Sequence, residues 1–115
     1  MGESVRVIAL RGDADRFRAE TVSRAIQDSW GDDRTVIVDM SDTAFMDSSM
    51  LAALVAASDQ ARRRAESLVL VVRAPRLKRS LEVKGLGGIL TVVDSREQAL
   101  ELVERGGDET VPEPA

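Results

Sequence analysis

Apolar and polar positions along the chain alternate between two periods, and their succession predicts strand then helix, four times over. Residues 5–10 form a short β-branched run ended by Arg11-Gly12-Asp13, where glycine and aspartate signal a turn. Asp15 then stands as N-cap of a helix from Arg16 to about Ser29, with Phe17, Val22, Ala25 and Ile26 placed to line one face. Gly31-Asp32-Asp33 closes that helix, and residues 35–40 (Thr-Val-Ile-Val-Asp-Met) fit a buried parallel strand. After a loop, a helix is expected from about Ser49 to Arg64, because Leu51, Leu54, Val55 and Ser58 recur at intervals of three and four. Residues 68–72 are the most continuous apolar strand and should be central. Pro75 opens a short helix running to about Lys84, since the first helical position needs no amide proton. Gly85, Gly87 and Gly88 break it. Residues 89–93 supply another strand, and Ser95 caps a last helix containing Ala99, Leu100 and Val103, with Glu97 too early for an ideal capping box.

This alternation predicts an α/β sandwich: a mostly parallel sheet of four to five strands with about four helices against it. Residues 1–105 form one domain. From Gly106 to residue 115 the composition turns to Gly, Pro, Glu and Asp, which predicts a disordered acidic tail.

Composition narrows the chemistry. At 115 residues and 43% hydrophobic content the chain supports one real core, and with only Phe17, Trp30 and Phe45 as aromatics that core must be aliphatic. The absence of cysteine and histidine removes thiol catalysis, disulfides, the usual transition-metal sites and histidine acid/base chemistry together. That argues against an ordinary hydrolase. No apolar run approaches the roughly 20 residues of a membrane span, and the first ten residues lack the parts of a signal peptide. A cytoplasmic chain without membrane contact follows. Net charge is −4, and the three acids after Arg105, with no base among them, leave the preceding residues at −1, which gives no footprint for nucleic acid. All the bases except Lys78 and Lys84 are arginine, a bias for which genome composition is placed ahead of the alternative, phosphate or carboxylate recognition. The run Arg62-Arg63-Arg64 falls where a helix end favours positive charge.

The most informative stretch is Met46-Asp47-Ser48-Ser49-Met50, at the joint between the second strand and the second helix. It lies at the carboxyl end of a strand, where binding sites of open α/β sheets gather. A hydroxyl there can cap the helix or receive a phosphate, since free first-turn amides and the helix dipole favour an anion. Asp39 is expected to satisfy loop amides, and its spacing from Asp42 and Asp47 matches no metal-binding loop. Gly85-Leu86-Gly87-Gly88 follows a helix and reads as a turn, beside which Leu86 and Ile89 extend an apolar contact surface. The exposed edge of the first strand leaves a homodimer open.

Residues 36–41 (Val-Ile-Val-Asp-Met-Ser), followed by Phe45-Met46-Asp47-Ser48-Ser49, resemble the signature of the STAS domain of bacterial anti-sigma factor antagonists. Gly12-Asp13-Ala14-Asp15 resembles that family's Gly-Glu-Leu-Asp turn, and Pro75-Arg76-Leu77-Lys78-Arg79 to Gly85-Leu86 its segment before the final strand. The resemblance implies a STAS-like fold and a serine after Asp47, Ser48, phosphorylated by an anti-sigma factor that is a serine kinase of ATPase fold. Ser49 is the alternative hydroxyl, expected to turn inward as the cap while Ser48 stays exposed. The resemblance implies a partner surface of Asp15, Asp47, Ser48, Ser49 and Met50 with the exposed side of the following helix, and a separate phosphatase resetting the switch; ATP and magnesium would belong to the kinase, so this chain would be no enzyme and would hold no cofactor. Met50 replaces the family's glycine, so it either narrows the kinase's approach or fills a partner's pocket with adaptable apolar surface. The alternative function is a STAS scaffold subunit of a transporter or stressosome-like complex, without phosphate turnover.

Overall fold

The computed structural model describes residues 5–13, 16–29, 35–83 and 89–108, without the side chains of residues 16 and 104–108. Four strands, β1 (Val5–Ala9), β2 (Thr35–Met40), β3 (Ser67–Val72) and β4 (Thr91–Val93), alternate with α1 (Arg16–Ser29), α2 (Ser48–Arg63), α3 (Pro75–Val83) and α4 (Arg96–Asp108). The strands form one sheet in the order β1-β2-β3-β4, and every neighbouring pair is parallel. The α/β expectation therefore holds, with four strands and four helices among the described residues.

Strand order fixes where the helices go. Each right-handed crossover between sequential parallel strands places its helix on the same face, so α1, α2 and α3 share one side. Alternation along the strands supplies that side with Val36, Val38, Met40, Leu68, Leu70 and Val72, which pack with Ala19, Val22, Ile26, Met50, Leu54, Ala57, Leu77 and Leu81 in one continuous core. The opposite residues, Ile37, Val69 and Val71, form a smaller cluster with Ala99 of α4, and Val5 and Val93 pack against it. All six residues of β2 are buried. That explains why it reads as an unbroken apolar run apart from Asp39.

Several expectations need adjustment. Phe17 is 80% exposed, so the inner face of α1 is instead Ala19, Val22 and Ile26, with Ser29 bonded back to the Ala25 carbonyl. Leu51 and Val55 are only half-buried, because the inner face of α2 is Met50, Leu54, Ala57, Ser58 and Ala61. Strand β4 begins at Thr91; Ile89 and Leu90 lie in the preceding turn, the first exposed and the second buried. Helix α4 continues to Asp108, past the boundary expected at Gly106. Its start is capped by Ser95, as expected: the Gln98 amide donates to Ser95 Oγ at 3.1 Å, while Gln98 Oε1 reaches one residue past the cap and accepts from the Asp94 amide at 2.7 Å. Trp30, Gly31-Asp32-Asp33, Gly85-Leu86-Gly87-Gly88 and residues 109–115 lie outside the described residues.

Helix α2 ends in a Schellman motif. Glu66 N–H donates to the Ala61 carbonyl at 2.8 Å and Ala65 N–H to the Arg62 carbonyl at 3.2 Å, which requires a left-handed residue between helix and strand. That residue is Ala65, at φ 57°, where glycine would be unstrained. The arginines of this end each have an acid nearby: Arg62 and Arg63 reach Asp59 at 3.8 and 2.8 Å, and Arg64 reaches Glu66 at 3.1 Å. No helix among the described residues is long and apolar enough to cross a membrane.

Candidate interaction site at the start of helix α2

The β2–α2 loop is shaped by its own polar side chains. Thr43 is buried; its amide donates to the Met40 carbonyl at 3.0 Å and its hydroxyl to the Gly12 carbonyl at 2.8 Å. Gly12 adopts φ +78°, a conformation glycine enters without strain, and so turns its carbonyl toward Thr43. This bond ties the loop before α1 to the loop before α2.

Asp47, not Ser49, is the N-cap of α2. It is extended (φ −84°, ψ 174°), and its Oδ1 accepts from the Met50 amide at 3.0 Å. Aspartate ranks with serine as a cap and adds its charge to the positive helix end, so it wins a position where three successive residues could have competed. Ser48 and Ser49 then fall on the first two helical positions, both exposed. Among the described residues neither hydroxyl makes a hydrogen bond, so neither carries a structural duty.

Met50 points the other way. It is fully buried, packed in the main core, which corrects the expectation that its side chain meets a partner or obstructs one. In the first turn the inward direction falls on the third helical position, and a flexible thioether fills the space there. Asp15, the remaining expected contact, lies outside the described residues.

From Ser48 an outward-facing stripe, half-buried at Leu51, Val55 and Asp59 and exposed at Ala52, Ala56 and Arg62, runs down α2 at helical spacing. With Ile89 as its side wall it forms an open apolar groove of about 670 Å³. The wall is pinned: Ser58, on the buried side of α2, donates its hydroxyl to the Ile89 carbonyl at 3.0 Å. Two further apolar groups stand out beyond the groove, since Phe17 and Phe45, the only phenylalanines of the chain, are 80% and 58% exposed. The sequence points to Ile89 and the outer side of this helix as an extended contact surface, but it assigns Leu51, Val55 and Phe17 inward because they are periodic with true core residues.

Asp39 belongs to a separate cluster at the end of β2. Its Oδ1 accepts from the Ser41 amide at 3.0 Å and the Ser41 hydroxyl at 2.5 Å, as expected of an acid satisfying loop groups. Its Oδ2 accepts from Arg96 Nε at 2.6 Å, a partner from α4 that sequence distance concealed. Burial pushes the carboxyl's pKa up, but the two Ser41 bonds and the Arg96 guanidinium outweigh it and hold it below the ordinary carboxylate value. Among the described residues no group of acids is arranged to hold a metal ion.

Comparison with known proteins agrees with this architecture. Residues 2–99 match the model of the STAS domain. An anti-sigma factor antagonist from Mycobacterium paratuberculosis superposes with a TM-score of 0.77 at 23% identity, covering 90% of this chain and 89% of that one. The Bacillus cell fate determinant SpoIIAA in its phosphorylated form gives 0.69 at 23% identity, over 89% of this chain and 93% of that chain. A sulfate transporter family protein from Wolinella succinogenes gives 0.76 at 17% identity, over 90% and 88%. These similarities establish the shared fold, and the domain match spans most of the sequence. The chain belongs to the STAS-domain family.

Proposed function

We propose that this chain is an anti-sigma factor antagonist whose unmodified form binds a kinase-type anti-sigma factor and whose phosphorylation at Ser48 ends that binding. One observation carries the reading: an exposed serine hydroxyl, unbonded among the described residues, at the head of an apolar groove, on a helix already capped by the residue before it. The cap leaves Ser48 free to be modified without loss of helix stability. First-turn amides tolerate the new anion, so the fold survives. The partner does not tolerate it, because about two negative charges would arrive beside Asp47 at the mouth of an apolar contact surface.

In this reading the groove lined by Leu51, Ala52, Val55, Ala56 and Ile89 receives an apolar ridge of the anti-sigma factor, and the exposed Phe45, in the loop before Ser48, supplies an aromatic anchor. ATP and magnesium belong to the kinase, and a separate phosphatase restores the binding form. This chain acts as substrate and switch, not as an enzyme. The buried position of Met50 supports the switch over a scaffold without phosphate turnover, since it removes the obstruction a methionine at that place suggested.

The test is incubation with candidate kinase-type anti-sigma factors and ATP, followed by mass spectrometry and binding measurements. A single phosphate on Ser48 is expected, with binding lost in Ser48→Asp and kept in Ser48→Ala. Phosphate on another residue with normal binding by Ser48→Asp would sink the switch. Co-purification of a transporter subunit or a large assembly of homologous chains would favour the scaffold.

A further inference from the structure

The second face of the sheet ends in a basic cleft that the proposed switch does not use. Along β1, β2 and β3, the residues pointing away from α1–α3 are Val5-Val7-Ala9, Ile37-Asp39 and Val69-Val71, and the register aligns Ala9, Asp39 and Val71 across the sheet. Two residues further on, the same alternation brings Arg11, Ser41 and Arg73 to one level beyond the strand ends. Arg96 arrives there from the first turn of α4. Together these residues, with Asp42, line an open cleft of about 370 Å³. It lies beyond the carboxyl ends of β1, β2 and β3, on the face that carries α4.

Charge and hydrogen bonding give the cleft its character. Asp39 is already engaged by Ser41 and by Arg96 Nε, so its charge is answered within the cluster and Arg96 is held in place. Arg96 uses only Nε in that bond, and its terminal nitrogens make no other among the described residues. The Arg11 and Arg73 guanidiniums have no acidic partner among the described residues either, unlike Arg62, Arg63 and Arg64 on the other face. Three guanidiniums against two carboxylates make a locally positive hollow in a chain of net charge −4.

We infer that this cleft binds a small phosphorylated molecule, with Arg11 and Arg73 gripping the phosphoryl oxygens and Arg96, anchored on Asp39, as the third donor. Planar guanidinium forks suit that task, since each can give two parallel bonds to one phosphoryl group. The volume exceeds what a single phosphate fills and leaves room for a diphosphate or a small ester. This inference is independent of the Ser48 switch, which lies on the other side of the sheet.

The experiment is an NMR titration of the isotopically labelled chain with inorganic phosphate and with pyrophosphate at low ionic strength, against sodium chloride of matched ionic strength. Saturable shifts are expected at the Ser41 amide and at the Nε–H signals of Arg11, Arg73 and Arg96. Arg11→Ala and Arg73→Ala should each weaken binding by about tenfold, the value of one charge-assisted contact. Arg76→Ala, an exposed charge change outside the cleft, should leave it unchanged. Unsaturated shifts, shifts reproduced by chloride, or equal weakening by Arg76→Ala would each overturn the inference. Because the substituted arginines are exposed and have no acidic partner among the described residues, an unchanged spectrum away from the cleft will show that the variants fold.

Discussion

The two faces of the sheet divide the labour of this domain unequally. One face carries three helices and a continuous aliphatic core. The other carries, among the described residues, only α4, a small apolar cluster and a polar rim of Arg11, Asp39, Ser41, Arg73 and Arg96. Both belong to the same strands, so the difference comes from the direction of the crossovers and not from strand composition. Apolar burial concentrated on one side supplies stability, and it leaves the other side able to keep charges near the sheet.

The largest effect that tests this contrast is Leu54→Ala, on the inner face of α2. It should lower unfolding free energy by about 2–5 kcal/mol in denaturant melts, through lost burial and an unfilled cavity. Neighbouring valines of β3 give a sharper test because they match in type and burial and differ in face. Val72→Ala, in the main core, should lose about 2–3 kcal/mol; Val71→Ala, beneath α4, about 1–2, because a thinner layer can close on the space. Equal losses would mean that α4 packs as rigidly as the three helices opposite.

Acid probes the polar side. The Asp39 pKa is lowered on folding, so its ionised form contributes stability that is present above the unfolded value near about pH 3.9 and is lost as pH falls through the lower folded value. Asp39→Asn should therefore cost about 1 kcal/mol at neutral pH, and the gap to the natural chain should narrow in acid melts below about pH 4. A gap that stays constant with pH would assign the Arg96 contact no electrostatic role.

Smaller effects of opposite sign are expected at the two ends of α2. Asp47→Ala should destabilise by about 1 kcal/mol by removing the cap. Ala65→Gly should stabilise by about 0.5–1 kcal/mol, since glycine relieves the left-handed strain of the Schellman turn. Thermal melts of both variants decide the signs.

Element order, the parallel sheet and the strand-to-helix joint were legible in sequence because each rests on local periodicity. The capping residue was misplaced by one or two positions because Asp47, Ser48 and Ser49 are all good caps, and only the backbone turn chooses among them. The exposed positions of Phe17 and the inward turn of Met50 depend on helix phase, which a few degrees of rotation alters. The Asp39–Arg96 bond spans 57 residues and leaves no local trace. The cap at Ser95 was legible, while the return bond from Gln98, in the third helical place, to the Asp94 amide was not, because Glu97 alone was weighed for that role.

Every strand of this sheet pairs only with its neighbours in sequence, so the ladder can grow in the order in which a ribosome delivers it. Three strands and three helices are available by Val83, before the last strand and helix exist. The Asp39 carboxylate must then wait for Arg96, and the basic cleft is complete only when α4 docks. Ligand binding at the cleft would therefore report on completed folding, and a small bound anion would stabilise the last-arriving helix in preference to the rest of the chain.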